Sequence, residues 1–268
     1  MKQIAIRGLF MGKAMAVSAV TIVIIMLVTW LISLAIKNAS IVDITWGLGF
    51  AITSWVLALT IDGDSTRQAL LAFMVGLWGV RLGSYLAKRN LGHGEDWRYK
   101  LMRKKRGPKF GLISLATVFG LQGALMFIVS LPVMFGNSDS TPGVGPIAVI
   151  GFMVWAVGFL FEAIGDWQLA RFIRDSSNAG KVMQTGLWSL TRHPNYFGNA
   201  LLWWGIGIVA AETGSGVIGL IGPVVMTYLL LKVSGVPMLE HSMNKRRAGY
   251  AEYATRTSMF IPRLPKKA

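Results

Sequence analysis

The chain contains a series of apolar stretches, each about as long as a helix that crosses a lipid bilayer. Such a helix needs about 20 predominantly apolar residues. Seven stretches qualify, which are residues 14–36, 41–61, 68–87, 111–135, 146–161, 195–211 and 215–231. The fifth continues with helical periodicity to about residue 173 if three charges are tolerated. The pattern predicts an all-α integral membrane protein with seven transmembrane helices in a single domain over residues 1–268.

Composition argues against the other broad classes of protein. Hydrophobic residues make up 53% of the chain and charged residues 15%, whereas about a quarter of the residues in soluble domains are charged. A disordered chain or a soluble two-domain enzyme would therefore carry more charge. The sequence has no cysteine, which excludes disulfides, thiolate metal sites and a cysteine nucleophile.

The positive charges are distributed unevenly among the segments between the spans. Residues 88–109 hold nine Lys and Arg and residues 232–268 hold eight, whereas the segments 62–67, 136–145 and 212–214 hold one in total. Since Lys and Arg accumulate on the inner side of a membrane, the basic loops and the C-terminus should be cytoplasmic.

This orientation conflicts with the charges near the N-terminus. Seven spans would put the N-terminus outside, yet Lys2, Arg7 and Lys13 favour the inside. The downstream charges override them, or the first segment is an interfacial helix, or the number of spans differs by one.

The basic excess of +15 has two interpretations. Nucleic-acid binding would require a recognisable fold or an aromatic-lined groove, which the sequence lacks, so we predict no nucleic-acid partner. For residues 100–109 the simpler interpretation is topogenic charge with attraction to anionic lipid headgroups.

Ionisable side chains within spans are costly and therefore point to function. The spans contain five of interest: Asp43, Arg81, Glu162, Asp166 and Arg171. Trp78 and Tyr85 share a helix face with Arg81. The alternative is structural: these residues lie near helix ends, extend to the interface, or pair with one another.

The segment 178–199 is polar and lies between two hydrophobic blocks. Arg192 and His193 precede Pro194, which suits the first turn of a helix. With Asn195 they gather at a helix N-terminus, where free N–H groups favour an anion. The segment therefore predicts phosphate or carboxylate binding, or else simply begins a helix with topogenic charge.

The C-terminal segment 240–262 repeats this combination of basic and aromatic residues. Lys245, Arg246 and Arg247 precede Tyr250 and Tyr253. Clustered arginines suit phosphate, although a solvated amphipathic helix would have the same composition. The sequence lacks a Walker A motif, a dinucleotide-binding glycine motif and metal-ligand spacing, so we predict no metal site.

Several motifs together resemble one family of membrane enzymes. GLWSLTRHPNYFGN, then LLWWGIG, and then LE and KRRAGYAEYATRTSMFIP resemble the C-terminal half of the steroid 5-alpha-reductase family. DITWGLGF and WGVRLGSYLAKRNLGHGEDWRYK look like its uncharacterised bacterial members. The resemblance covers most of residues 41–262 and is strongest over 162–262.

The resemblance implies seven transmembrane helices with cytosolic loops that cap a cavity for NADPH. It implies hydride transfer to the β-carbon of an enone while an acidic pair polarises the carbonyl oxygen. The cofactor-contacting positions that it implies, together with Arg171 and His193 from the charge pattern, are Asp166, Lys181, Arg192, Asn195, Tyr196, Asn199, Trp203, Arg246, Arg247, Tyr250 and Tyr253. Asn199 stands where the family has an acid.

The candidate catalytic residues are Asp43, Tyr85 and Trp78. Asp43 is the only acid on the second span, where the steroid reductases have a Gln-Glu-Pro motif, and Trp78 aligns nearest to the family's catalytic tyrosine. Tyr85 lies two turns beyond. A tyrosine hydrogen-bonded to a carboxylate, or a protonated buried acid, can stabilise negative charge on the enone oxygen.

These observations predict an NADPH-dependent membrane reductase of a lipid-like enone. The alternative is an S-adenosylmethionine-dependent methyltransferase of the isoprenylcysteine carboxyl type, which shares the RHPNY and C-terminal motifs. A transporter would show inverted repeats, and none is visible in the sequence. The expected partners are the bilayer and an apolar small molecule, and we expect a monomer.

Overall fold

The computed structural model describes residues 2–233, 235–237, 239–240, 243 and 247–265, with side chains from residue 8 onward. The regular structure of these residues is helical throughout, without a strand. Several of the helices are long and apolar enough to cross a bilayer. The chain is therefore a multi-pass membrane protein, and it divides into two compact units.

The first unit comprises residues 1–148 and 209–222. Its first three helices are long and are joined by short connections. Four shorter helices follow, and the helices of this unit in chain order are α1 (Lys2–Ala35), α2 (Ile41–Thr60), α3 (Ser65–Asn90), α4 (Trp97–Arg106), α5 (Phe110–Ser114), α6 (Leu121–Val129) and α7 (Leu131–Ser138). A 3-10 turn at Gly107–Lys109, a π-helical turn at Leu115–Gly120 and a 3-10 helix at Ser215–Leu220 complete the unit.

A buried arginine in the first turn of α3 joins that helix to two loops of the first unit. Arg67, 1% exposed, donates to the carbonyl oxygens of Thr141 at 3.1 Å and Gly143 at 2.6 Å. Its guanidinium lies 3.7 Å from the Glu212 carboxylate, which accepts from the Ala148 N–H at 3.0 Å. Residues 64–67, 139–148 and 212 therefore lie at the same end of this unit.

The second unit comprises residues 149–208 and 223–268. It contains residues 149–174 of α8 (Pro146–Arg174) and residues 194–208 of α10 (Pro194–Ala211). Its remaining elements are a 3-10 turn at Ser176–Asn178, α9 (Leu187–Leu190), α11 (Ile221–Tyr228), a π-helical turn at Leu229–Val233 and α12 (Tyr250–Arg256).

Helices α8 and α10 pack antiparallel. Asn195 at the start of α10 contacts Asp166 near the end of α8, and further along α10 Gly205 lies against the backbone of Trp155. Gly198 touches the backbone of Glu162, so a Cβ there would overlap it. Small residues allow this close approach of two membrane helices.

Six helices in the described part of the chain are long and apolar enough to span a bilayer. They are Gly8–Ala35, Ile41–Thr60, Ser65–Asn90, Trp97–Val129, Pro146–Arg174 and Ser215–Val233. The remaining predicted stretch, residues 195–211, forms most of α10, a helix of 18 residues. It is not among the six because Asn195, Tyr196 and Asn199 make its first half polar. The prediction that the fifth span continues to about residue 173 is confirmed.

The basic segment 88–109 differs from the expected loop. It contains α4, whose first turn is capped by the Asp96 side chain accepting from the Arg98 N–H at 3.0 Å. The acid-then-aromatic sequence EDWRYK explains this start, since Asp is a favoured N-cap residue. The segment is thus an ordered helix that can position side chains.

Candidate functional site

The first cluster of functional side chains lies where α4 contacts the start of α2. Asp43, in the first turn of α2, accepts a hydrogen bond from the Tyr99 hydroxyl at 2.7 Å and one from Arg98 Nη2 at 2.6 Å. Tyr99 is 5% exposed, and the Gln122 amide donates to its hydroxyl at 3.4 Å. A carboxylate, a phenol and a guanidinium therefore meet at the end of a candidate span.

Two acids just before α4 hold this cluster together. Asp96 accepts from Arg98 Nε at 2.9 Å, and its own N–H donates to the Ser40 hydroxyl. Glu95 accepts from the Ala39 N–H at 2.8 Å and from Arg103. Burial would raise the pKa of Glu95 and Asp96, but the arginine hydrogen bonds outweigh it and lower both. Both acids are therefore charged at neutral pH and join α4 to the start of α2.

The tyrosine that contacts Asp43 is Tyr99, whereas the sequence names Tyr85 as the catalytic candidate. The Tyr85 ring lies 6.0 Å from the guanidinium of Arg81 and 5.7 Å from that of Arg89, and its catalytic role stays a prediction. Tyr99 was missed because its segment was interpreted as a basic loop. The available signal was the Asp-Trp-Arg-Tyr order, which places a tyrosine one turn after an N-cap.

Trp78 lies in the apolar interior of the first unit. Its side chain is fully buried, and its ring packs edge-on against Phe50 at 5.6 Å. Phe50 in turn packs against Trp46 at 5.0 Å. These contacts give Trp78 a packing role in α3, and its assignment as a catalytic residue stays a prediction.

The second cluster is centred on Glu240. Its carboxylate accepts from Arg192 Nε at 2.7 Å and Nη2 at 3.1 Å, and it lies 3.1 Å from His193 Nε2. The Tyr250 hydroxyl donates to it at 3.1 Å. Sequence reasoning missed Glu240, although an acid in a strongly basic segment is a signal that it has a partner.

The pKa of Glu240 lies well below its ordinary value. Burial would raise its pKa, but the hydrogen bonds from His193 and Arg192 and the charge of Arg192 lower that pKa to about 2. The cluster thus contains a permanently ionised carboxylate at neutral pH. For Tyr250, burial and the Glu240 charge raise the pKa, so it stays a neutral phenol.

A pH-dependent stability should follow from this shift. The pKa of Glu240 is lower in the folded chain than its ordinary 4.5, so its carboxylate stabilises the fold above about pH 4.5 and loses that effect as the pH falls towards about 2. We expect Glu240→Gln to be less stable than the wild type at pH 7, by a margin that shrinks below pH 4.5. Thermal unfolding of both proteins across this range measures it. A constant margin would exclude the titration of Glu240 as the cause.

Arg192 connects the start of α10 to the C-terminal segment. Besides Glu240, its guanidinium donates to the carbonyl oxygens of Ala254 and Thr257, each at 2.8 Å. Its N–H donates to the Ser258 carbonyl oxygen at 2.8 Å. Arg192 therefore holds the C-terminal segment, and its direct contact with a phosphate stays a prediction.

Two acid–amide pairs join α8 and α10, one buried and one partly buried. The Asn195 amide donates to Asp166 at 3.0 Å, and the Asn199 amide donates to Glu162 at 3.1 Å. Four of the predicted polar positions on these helices are therefore paired across one helix interface. The pairing places the Asn199 amide next to the carboxylate of Glu162.

The remaining predicted residues of the second unit lie around the same segments. Tyr196 stacks on His193 with ring centroids 5.7 Å apart, and Trp203 is fully buried. Tyr253 donates to the Trp188 carbonyl oxygen. Arg247 lies three residues before α12, whereas Arg246 lies outside the described residues.

Two adjoining cavities open beside α8 and α12. One, of about 350 Å³, has the cations Lys181 and Arg256 in its wall, and the other, of about 330 Å³, has Arg171 and Trp167. The Arg171 guanidinium lies 5.7 Å from the Trp167 ring centroid. Phe172 and Thr185 line both cavities. Cations beside aromatic and amide groups can bind a phosphate-bearing molecule.

Comparison with known protein families covers both clusters. The family described as "Protein of unknown function (DUF1295)" matches residues 29–257. The chain belongs to this family. The DUF1295 match includes Asp43, Tyr99, Arg192 and Glu240, so both sites lie within the part of the chain that defines membership.

Two individual proteins are also similar to this DUF1295 chain. An uncharacterized protein of Schizosaccharomyces pombe is 25% identical over 272 residues, which cover 88% of this chain and 76% of that protein. The probable O-methyltransferase ustE of Ustilaginoidea virens is 36% identical over 69 residues, which cover 26% of this chain and only 24% of that protein. No solved structure matches the chain significantly.

Proposed function

We propose that this DUF1295 protein is an NADPH-dependent membrane reductase that adds hydride to the C=C bond of a steroid-like or isoprenoid-like enone. The observation that carries the proposal is the hydrogen bond between Tyr99 and Asp43 beside Arg98. It supplies an O–H donor at the end of an apolar span, where a lipid-like carbonyl can arrive from the bilayer. The resemblance to steroid 5-alpha-reductases supports the same chemistry.

NADPH, when bound, supplies the hydride. Addition of hydride to the β-carbon forms a C–H bond and moves the π electrons of the C=C bond onto the carbonyl oxygen. The Tyr99 hydroxyl has a single proton, which it donates to Asp43 in the structure. When the enone binds, the hydroxyl turns this hydrogen bond from Asp43 to the substrate oxygen as the negative charge develops. Arg98 then neutralises the Asp43 carboxylate, and a proton from water completes the reduced product at the α-carbon.

The second unit has side chains that suit a dinucleotide phosphate. Lys181, which the resemblance assigns to the cofactor, lines the larger cavity together with Arg256. Glu252 also lines this cavity and pairs with Arg256 at 2.9 Å. The wall therefore keeps one net positive charge, which can meet a phosphate that NADH lacks. The chemistry of these donors fits NADPH better than a cofactor without phosphate.

We also propose that α10 is a seventh span. Helix α8 begins beside Glu212, and α10 runs antiparallel to α8 back to residue 211. If α10 crosses the membrane, segments 88–109 and 232–268 lie on the same side of it, which agrees with the positive charge that they share. In this topology the C-terminus is cytoplasmic in a bacterial inner membrane, and the protein acts as a monomer.

The proposal predicts a cofactor preference that calorimetry can measure. The purified full chain in detergent should bind NADPH with micromolar affinity and NADH at least about tenfold more weakly, because a phosphate contact with cations is worth more than about 1.4 kcal/mol. Lys181→Gln and Arg256→Gln should each reduce this preference. Arg174→Gln, which removes an exposed cation outside the cavity linings, is the matched control. Binding of S-adenosylmethionine without any binding of NADPH would contradict the proposal.

A methyltransferase is the second candidate, because the local similarity to ustE favours it. In that case S-adenosylmethionine would be the cofactor and the methyl acceptor would be a carboxylate or hydroxyl. Titrating both cofactors against the same preparation separates the candidates. The methyltransferase predicts that Lys181→Gln leaves cofactor affinity unchanged, since that cofactor has no phosphate.

A further inference from the structure

The helix α4 combines an inward polar face with an outward basic and apolar face. Tyr99 and Arg103 lie four residues apart on one side, where they contact Asp43 and Glu95. On the other side Trp97 and Leu101 are 57% and 60% exposed. This helix therefore presents an apolar strip to its surroundings.

Exposed cations flank that strip. Lys100 and Lys104, four residues apart, lie on one flank of the strip, and Lys105 lies on its other flank. Including Arg106 and Lys109, five cations of the segment are exposed, and none of them forms a salt bridge within the described part of the chain. Their charge is thus not neutralised by the protein.

The position of α4 along the chain sets it at a membrane surface. The helical stretch Trp97–Val129 has 33 residues, which at 1.5 Å per residue would be about 50 Å, longer than a hydrocarbon core of about 30 Å. Its apolar part begins at Phe110. Gly107, with φ +59°, breaks the helix between the two parts, so the basic helix lies outside the hydrocarbon region.

We propose that the outward face of α4 is a binding site for anionic phospholipid. The lysines contact the headgroup phosphates, and Trp97 and Leu101 contact the upper part of the acyl chains. Topogenic charge alone would require cations on this side of the membrane, but it would not require an apolar strip between two flanks of lysine. The site is independent of the proposed reductase activity.

Native mass spectrometry of the full chain tests the site with two lipids of identical acyl chains. The wild type should retain phosphatidylglycerol about tenfold or more over phosphatidylcholine, because each surface lysine contributes about 1 kcal/mol towards an anionic headgroup. The triple variant Lys100→Gln, Lys104→Gln, Lys105→Gln should lose this preference. The matched triple Lys88→Gln, Arg174→Gln, Lys232→Gln, which removes three exposed cations elsewhere, should keep it.

Two results would overturn the site. The first is a wild type that retains both lipids equally, and the second is a control triple that loses as much preference as the α4 triple. If the α4 triple variant fails to insert into the membrane, the single variant Lys104→Gln is tested in its place. It should lower the preference for phosphatidylglycerol about threefold to fivefold. An unchanged preference in this variant would reject the site.

Discussion

Tyr99→Phe is expected to reduce the rate of enone reduction by about 10²–10³-fold, because removal of one donor to a developing oxyanion has an effect of this size. The Tyr99 hydroxyl is the group that Asp43 positions at 2.7 Å. Asp43→Asn should lower the rate as well, since it removes the ion pair with Arg98. NADPH affinity should change little in both variants.

The measurement is NADPH oxidation by the purified full chain with a steroid enone and an isoprenoid enone, together with calorimetric NADPH binding. Tyr228→Phe is the control, because Tyr228 is a phenol that is 60% exposed on α11. A large loss in Tyr85→Phe with an active Tyr99→Phe would assign the donor to Tyr85. Equal losses of NADPH affinity in Tyr99→Phe and Asp43→Asn would make both residues structural.

The second large effect concerns stability. Arg67→Met should destabilise the protein by about 3–5 kcal/mol, which is the usual consequence of removing one partner of a buried ion pair. The variant leaves the Glu212 carboxylate without its guanidinium, and it removes the donors to Thr141 and Gly143. The start of α3 and the two loops around residues 141–143 and 212 would then lose their common contact.

Thermal unfolding in detergent measures this effect against a matched ion pair. Lys13 and Asp62 are paired at 3.4 Å with side chains 48% and 77% exposed, so Lys13→Met should change stability by less than about 1 kcal/mol. An Arg67→Met variant as stable as Lys13→Met would mean that water replaces the guanidinium without cost. Binding of NADPH should survive in the folded fraction of Arg67→Met, because Arg67 and its partners all belong to the first unit, whereas the residues proposed to bind NADPH belong to the second.

The position of a helix was predictable from the sequence where a single physical rule determines it. Apolar length is such a rule, because a bilayer accepts only a long apolar helix. Pro194 marked the start of α10 because proline suits a first helical turn, and α10 begins there. The ends of the fourth span were not predictable in this way, since α4 is basic and is stabilised by Asp96 and by its contacts with α2.

For the candidate sites, the sequence predicted which residue types take part better than it predicted which residues they contact. Asp43 stood out because an acid in a span is costly, and in the structure it accepts from the phenol of Tyr99. That partner depends on how α4 packs, because Tyr99 lies 56 positions along the chain from Asp43, and no local spacing encodes it. Glu240 was missed for the same reason, since its donors Arg192 and His193 lie 48 and 47 residues away.

By itself, the sequence determined that the chain is a multi-pass helical membrane protein and which scarce charges are candidates for chemistry. These properties follow from composition and local periodicity, which act over one or two helical turns. The tertiary structure decided that Tyr99 rather than Tyr85 donates to Asp43 and that Arg67 and Glu240 organise their loops. Such pairings join residues distant in sequence, and they depend on which helix faces meet when apolar surface is buried.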